Sequence, residues 1–188
     1  MINKLVVNVL MKLRKLRYSF YSNNSNVTGR YRQYQPVVIR GKGKVTFESD
    51  VNFGVINSPM FYNTYAYIEA RTEESHIHFG SNININNGFS IVSETKIVIA
   101  NDVLIGFNCH IIDSDFHNLE IDKRHETDPL AAEVFIGKNV FIGNNVTILK
   151  GVTIGENSVV ASGAIVTKSC PKNTVIAGVP AKVVKTLS

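Results

Sequence analysis

The residues best equipped for chemistry stand together in one polar stretch, DSDFHNLEIDKRHETDPLAAE, which runs from Asp113 to Glu133. Its opening segment sets His117 just after Asp113 and Asp115, and His125 follows in the same stretch. Imidazole titrates nearest to neutral pH, so it is the side chain suited to taking up and returning a proton during a reaction. The neighbouring carboxylates could orient the ring or hold its charged form. His117 is therefore the first candidate base and His125 the second. The other histidines, His76, His78 and His110, read as surface residues on or beside strands.

This stretch stands out because the chain around it is periodic. From Ile136 an aliphatic residue recurs at every sixth position, at Ile136, Ile142, Ile148, Ile154, Val160 and Val166. Four residues after each comes a smaller one: Val140, Val146, Val152, Ser158, Ala164 and Cys170. Upstream the same beat runs through Phe79, Ile85 and Ile91, slips by two, and resumes at Ile99, Ile105 and Ile111. A looser copy begins at Ile39, Val45 and Val51. A six-residue period does not suit an amphipathic helix; it suits a short strand followed by a bend, with Asn or Gly at the corner accepting the left-handed backbone conformation. Three such units close a triangular coil of 18 residues, and coils stack through backbone hydrogen bonds at about 4.8 Å. The expected fold is all-β, a parallel β-helix prism. Cys109 and Cys170 both occupy the small inward position, which makes them buried side chains rather than nucleophiles. Asp113–Glu133 is then a loop expelled from the solenoid, and such loops usually carry binding or catalysis. The C-terminal AGVPAKVVKTLS is a second departure from the repeat.

Outside the repeat lies a basic leader. All of the formal net charge of +5 comes from Lys4, Lys12, Arg14, Lys15 and Arg17, because the remaining 15 basic residues balance 15 acidic ones. A neutral body gives no reason to expect a nucleic-acid partner. In the leader Ile2, Leu5, Val6, Val9, Leu10, Leu13, Leu16 and Phe20 fall at helical spacing, with Lys4, Arg14 and Lys15 opposite. The expectation is an amphipathic helix whose stripe packs on the body or a sister subunit, with a weak contact to anionic lipid as the alternative. The organisation expected is a leader helix over 1–21, a connector over 22–36 and a repeat domain over 37–188 that extrudes 113–133. With 44% hydrophobic and 19% charged residues, 188 residues suffice for one sizeable core and exclude a disordered chain. No apolar stretch reaches the roughly 18 residues of a membrane span. Two cysteines make no disulfide framework and no secretory signal is apparent, so a cytoplasmic protein is expected, peripheral to the membrane at most.

Four segments, FGSNININNGFSI, DSDFH, IGKNVFIGNNVTILKGVTIGENSVVASGAIVTK and AGVPAKV, resemble the hexapeptide-repeat acyltransferases, above all the galactoside, maltose and polysaccharide O-acetyltransferases. The resemblance spans roughly residues 79–187 and implies a left-handed β-helix. It implies transfer of an acetyl group from acetyl-CoA to a sugar or polysaccharide-precursor hydroxyl, with no metal. His117 matches the family's catalytic histidine, and the amide of Asn144 matches its oxyanion donor. Asn86 and Asp115 fall where the acceptor binds, and Phe141 stands where many members have a tryptophan. Gly106 and Ser162 would line the pantetheine, and Thr167, Lys168 and Lys182 would meet the nucleotide end. Sites between subunits imply a homotrimer. N-acetylation of an amino sugar needs the same base and remains the nearest alternative. A γ-type carbonic anhydrase, which needs three histidines on zinc, and a non-catalytic scaffold stand further off.

Overall fold

The structure, a computed structural model, describes residues 4–188; Ile2 of the leader's stripe lies outside the described residues. Short strands wind around one core in three sheets. The first sheet runs from Val27–Thr28 to Thr153–Ile154, the second from Tyr31–Gln33 to Ala181–Thr186, and the third from Val37–Gly41 to Ile165–Val166. Consecutive strands visit the three faces in turn, so each pairs in parallel with the strand one coil later. Ile136 aligns with Ile154, Ile142 with Val160 and Ile148 with Val166, which is the 18-residue coil that the hexads predict. A C-terminal hairpin, Thr174–Gly178 with Ala181–Thr186, is antiparallel and closes the second face.

The inward residues of successive hexads are buried, among them Ile77, Ile97, Ile136, Ile142, Ile148 and Ile154. Burying each such side chain is worth roughly 1.5–3 kcal/mol. Phenylalanines fill the N-terminal coils instead, where Phe47 stacks on Phe79 at 4.9 Å and Phe53 meets Phe79 edge-on. At one corner Asn139, Asn157 and Asn173 adopt positive φ, and their amides form a ladder at 3.0 and 2.9 Å. Cys109 and Cys170 are buried. Burial also pushes the Cys109 thiol up to about 11, which removes it as a nucleophile at neutral pH.

Three features depart from the sequence reading. The segment expected as a connector already contributes strands Val27–Thr28 and Tyr31–Gln33, which pair with Lys44–Phe47 and Val51–Phe53. A second excursion, residues 54–65, leaves the prism between Val51–Phe53 and Ala66–Ala70. It is pinned from below by the buried Gln35 amide, which donates to Met60 O and Thr64 Oγ1, and by Asn87 Nδ2, which donates to Val55 O and Pro59 O. The leader forms a helix, Lys4–Ser19, but most of its apolar stripe faces away from this chain's body. Leu5, Val6, Val9, Leu10, Leu13, Leu16 and Phe20 are all exposed. The opposite face docks: Arg14 donates to the carbonyls of Phe61 and Thr64, Lys15 donates to Gln33 O, and Tyr18 packs on Tyr65 at 4.9 Å. The excursion supplies carbonyls that cationic side chains can satisfy and aliphatic ones cannot.

Candidate active site

The loop carrying His117 leaves the third face after strand His110–Ile112 and rejoins the first at Val134–Ile136. Asp113 anchors its root. The side chain is fully buried and accepts hydrogen bonds from Ser93 Oγ, the Glu94 and Thr95 amides, and Thr95 Oγ1 at 2.6–3.0 Å. Glu94 and Thr95 are the corner that the two-residue slip after Ile91 creates, so this irregularity in the repeat is the socket for the loop's first carboxylate.

An ion cluster around the buried Asp128 carboxylate holds the middle of the loop. Lys150 Nζ lies 2.7 Å from Asp115 and 2.6 Å from Asp128, whose carboxylate also takes the amides of Asp115 and Leu130. Burial opposes the charge on Asp128, but the hydrogen bonds from Lys150 and the two amides outweigh it and bring the carboxyl down to about 2. Burial likewise opposes the charge on Lys150, which its two carboxylates raise on balance. A depressed carboxyl stabilises the fold above its unfolded value of about 3.9 and loses that contribution as pH falls through the folded value. The loop should therefore keep its conformation down to about pH 3 and loosen below that. In Lys150→Met the acid limb should move up to the ordinary carboxylate range or beyond. Hydrogen exchange of residues 114–131 against pH reports this, and an unmoved limb would show that the cluster does not hold the loop.

Phe116 and Asn118 fix His117 from both sides. Phe116 has φ of +61°, a costly conformation for a bulky residue, and is held by the Ser114 hydroxyl on its amide and by the Arg71 guanidinium 4.3 Å above its ring. Asn118 is buried, and its amide donates to Glu126 O. His117 is exposed, and its Nδ1 lies 2.9 Å from Arg124 O. A carbonyl only accepts, so Nδ1 carries the hydrogen and a neutral ring leaves the Nε2 lone pair facing out. Neither Asp113 nor Asp115 orients the ring, contrary to the sequence reading: the first is spent on the corner amides and the second on Lys150. Sequence reasoning missed Arg124, Asp128 and Lys150, whose roles arise from how the loop folds back and carry no spacing signal.

The second part of the candidate site lies at another corner. Ile85, Ile105, Ile142 and Val160 align along the second face, so the residues that follow them stack in register: Asn86, Gly106, Gly143 and Ala161. One position further stand Asn87, Phe107, Asn144 and Ser162. Asn86, Gly106, Phe141 and Asn144 line one open cavity of about 320 Å³, with Leu104 beside them. A Cβ on Gly106 would lie 2.5 Å from Asn144 Oδ1 and 2.7 Å from its amide nitrogen, so only glycine leaves that peptide approachable. The Asn144 amide donates to Ser162 Oγ at 3.0 Å, near the surface. Thr167, Lys168 and Lys182 are exposed, and the strands Ile165–Val166 and Ala181–Thr186 touch at this end of the prism. His117 does not join the cavity: none of the lining residues comes from its loop. His110 is tied to Ser90 Oγ at 2.6 Å on the third face, whereas His76 and His78 stand on the first, so the strand histidines do not converge. Among the described residues no helix is long and apolar enough to cross a membrane.

Known proteins share both the repeat and the fold. The family model for the bacterial transferase hexapeptide, six repeats, matches residues 133–168. The chain is 39% identical over 114 residues to the galactoside O-acetyltransferase of Escherichia coli, covering 61% of this chain and 56% of that protein. It is 32% identical over 135 residues to the galactoside O-acetyltransferase of Lactococcus lactis, covering 72% and 61% respectively. The chain thus spans about three fifths of the length of these relatives. A galactoside acetyltransferase in complex with coenzyme A superimposes with a TM-score of 0.57 at 24% identity, covering 100% of this chain and 84% of that one. A hexapeptide-repeat acetyltransferase from Vibrio cholerae complexed with acetyl coenzyme A gives the same TM-score at 22% identity, covering 100% and 80%. Residues 133–168 are thus bacterial transferase hexapeptide repeats, within a chain that folds as a left-handed β-helix.

Proposed function

We propose that this protein transfers the acetyl group of acetyl-CoA to a hydroxyl of a sugar or polysaccharide precursor, a reading supported by its similarity to proteins named galactoside O-acetyltransferase. The observation that carries the reading is the presentation of His117, whose Nδ1–H is fixed by Arg124 O while Nε2 is left open on an exposed loop. A sugar hydroxyl is a weak nucleophile, and Nε2 takes its proton as the oxygen attacks the thioester carbonyl carbon. The negative charge then resides on the carbonyl oxygen, and the Asn144 amide is the donor placed to receive it once the Ser162 hydroxyl turns aside. As the carbon–sulfur bond breaks, the imidazolium returns its proton to the thiolate, giving an acetyl ester and free CoA thiol. Asn86, Asp115 and Phe141 are assigned to the acceptor. The stacked corner from Gly106 to Ser162 is assigned to the pantetheine, whose amides suit a bare backbone edge.

His117 and the Asn144 cavity lie apart in one chain, so the reaction needs a second copy to bring them together. We assign the active assembly as a homotrimer in which the loop of one subunit reaches the corner of the next. Exposed Leu104, Phe135 and Phe141 on the prism faces supply apolar surface for such packing. Incubation with acetyl-CoA and a panel of sugars, nucleotide sugars and lipid-linked oligosaccharides, read as thiol release, tests the proposal. Release that depends on one acceptor supports it, and no release with any of them contradicts it.

Thr167, Lys168 and Lys182 are assigned to the nucleotide phosphates. An exposed charge contributes little alone, so Lys168→Ala and Lys182→Ala together are expected to weaken CoA binding by roughly tenfold and flatten its salt dependence. Titration calorimetry at two ionic strengths checks this, and unchanged affinity and slope would return both lysines to solvent.

A further inference from the structure

The leader helix presents an arrangement that the acetyl-transfer reading leaves unused. Its polar face is consumed by the body, through Arg14 and Lys15 on backbone carbonyls and Tyr18 on Tyr65. Its aliphatic face points away, with Leu10 58%, Leu13 58%, Leu16 56% and Phe20 79% exposed. This inverts the usual order, in which a surface helix buries its apolar stripe against the core. At 3.6 residues per turn, Lys12 borders the stripe on one side and Arg17 stands near its other edge, between Leu13 and Leu10, and both are exposed. Beside the helix an apolar groove of about 410 Å³, lined by Val7, Leu10, Met11 and Tyr62, extends the same surface onto the 54–65 excursion.

Charge decides between the possible occupants. Five cations and no acidic residue stand in the first 20 positions, and Arg14 and Lys15 dock on carbonyls without any carboxylate to neutralise them. A second copy of the helix would bring the same uncompensated positive charge against this one. An anionic lipid surface offers both complements: hydrocarbon for the stripe and negative headgroups for the bordering cations, whose long stems allow the charges to rise to headgroup level. We propose that Lys4–Ser19 is an in-plane membrane anchor, seating the prism on an anionic bilayer with Leu10, Leu13, Leu16 and Phe20 below the headgroups and Lys12 and Arg17 among them. Arg14, Lys15 and Tyr18 tie the helix to the body, so the surface it binds is also the surface against which the prism is oriented.

The test is flotation of the full chain with vesicles of phosphatidylcholine alone or mixed with phosphatidylglycerol. The expected result is binding to the mixed vesicles only, weakening as salt is raised. Lys12→Ala with Arg17→Ala should lower that partitioning by roughly tenfold or more. Leu13→Ser with Leu16→Ser should abolish it while leaving the melting temperature, the oligomeric mass and acetyl-CoA binding as they were. Failure of the full chain to bind anionic vesicles overturns the proposal. So does a change in oligomeric mass or melting in the leucine variant, which would make the stripe an interface between copies.

Discussion

Replacing His117 by alanine is expected to lower turnover by about two to four orders of magnitude, the usual worth of a positioned general base, with acetyl-CoA affinity nearly unchanged. The separation of effects follows from the geometry. The ring stands on the extruded loop and touches none of the residues lining the Asn144 cavity of its own chain, and the residues assigned to the donor are others, so its loss removes a proton acceptor while leaving those residues in place. His117 is exposed and, among the described residues, its side chain bonds only Arg124 O, so the variant should fold and assemble normally. Single-turnover rates and equilibrium binding on the same preparation separate the two quantities. Unchanged turnover would remove His117 from the mechanism and direct attention to His125.

The second large effect is a recovery. If the loop of one subunit serves the corner of its neighbour, two inactive variants should restore each other. His117→Ala lacks the base, and Ser162→Trp places an indole on the surface where Ser162 Oγ meets the Asn144 amide. Each alone should be nearly inactive. In oligomers co-expressed from both, random assortment around a ring pairs an intact loop with an intact corner at about one quarter of the interfaces. Activity should therefore return to roughly that fraction of wild type, far above either parent. Mixed oligomers as inactive as the parents would place the whole site within a single chain, against the separation described above.

What could be read from the sequence was whatever the repeat enforces. Inward Ile136, Ile142, Ile148 and Ile154 are buried in the expected coil register, because a prism of fixed perimeter leaves no freedom to strands of six-residue period. The slip after Ile91 was visible, yet its purpose, a socket for Asp113, needs the corner amides of Glu94 and Thr95 in three dimensions. The 113–133 loop was legible as an interruption, whereas the interruption at 54–65 was hidden because it falls where the repeat is loose. The same excursion bears on the leader. Its amphipathic pattern specifies a helix, but the face turned to this chain's own body is set largely by carbonyls on the hidden excursion, which Arg14 meets. The site residues divide in the same way. Asn86, Gly106, Phe141 and Asn144 meet because hexad register stacks them. The orientation of His117 depends instead on Arg124, and the support of its loop on Lys150 and Asp128, which no spacing rule brings together.

The central claim is that an acetyl group passes from sulfur to a sugar oxygen, and the acceptor itself records this most directly. After incubation with acetyl-CoA, the acceptor that drives thiol release should be recovered carrying one acetyl group by mass spectrometry. Mild alkali should remove that group, as it does an ester. An acceptor recovered unmodified, or one whose acetyl group resists alkali as an amide does, would contradict the account.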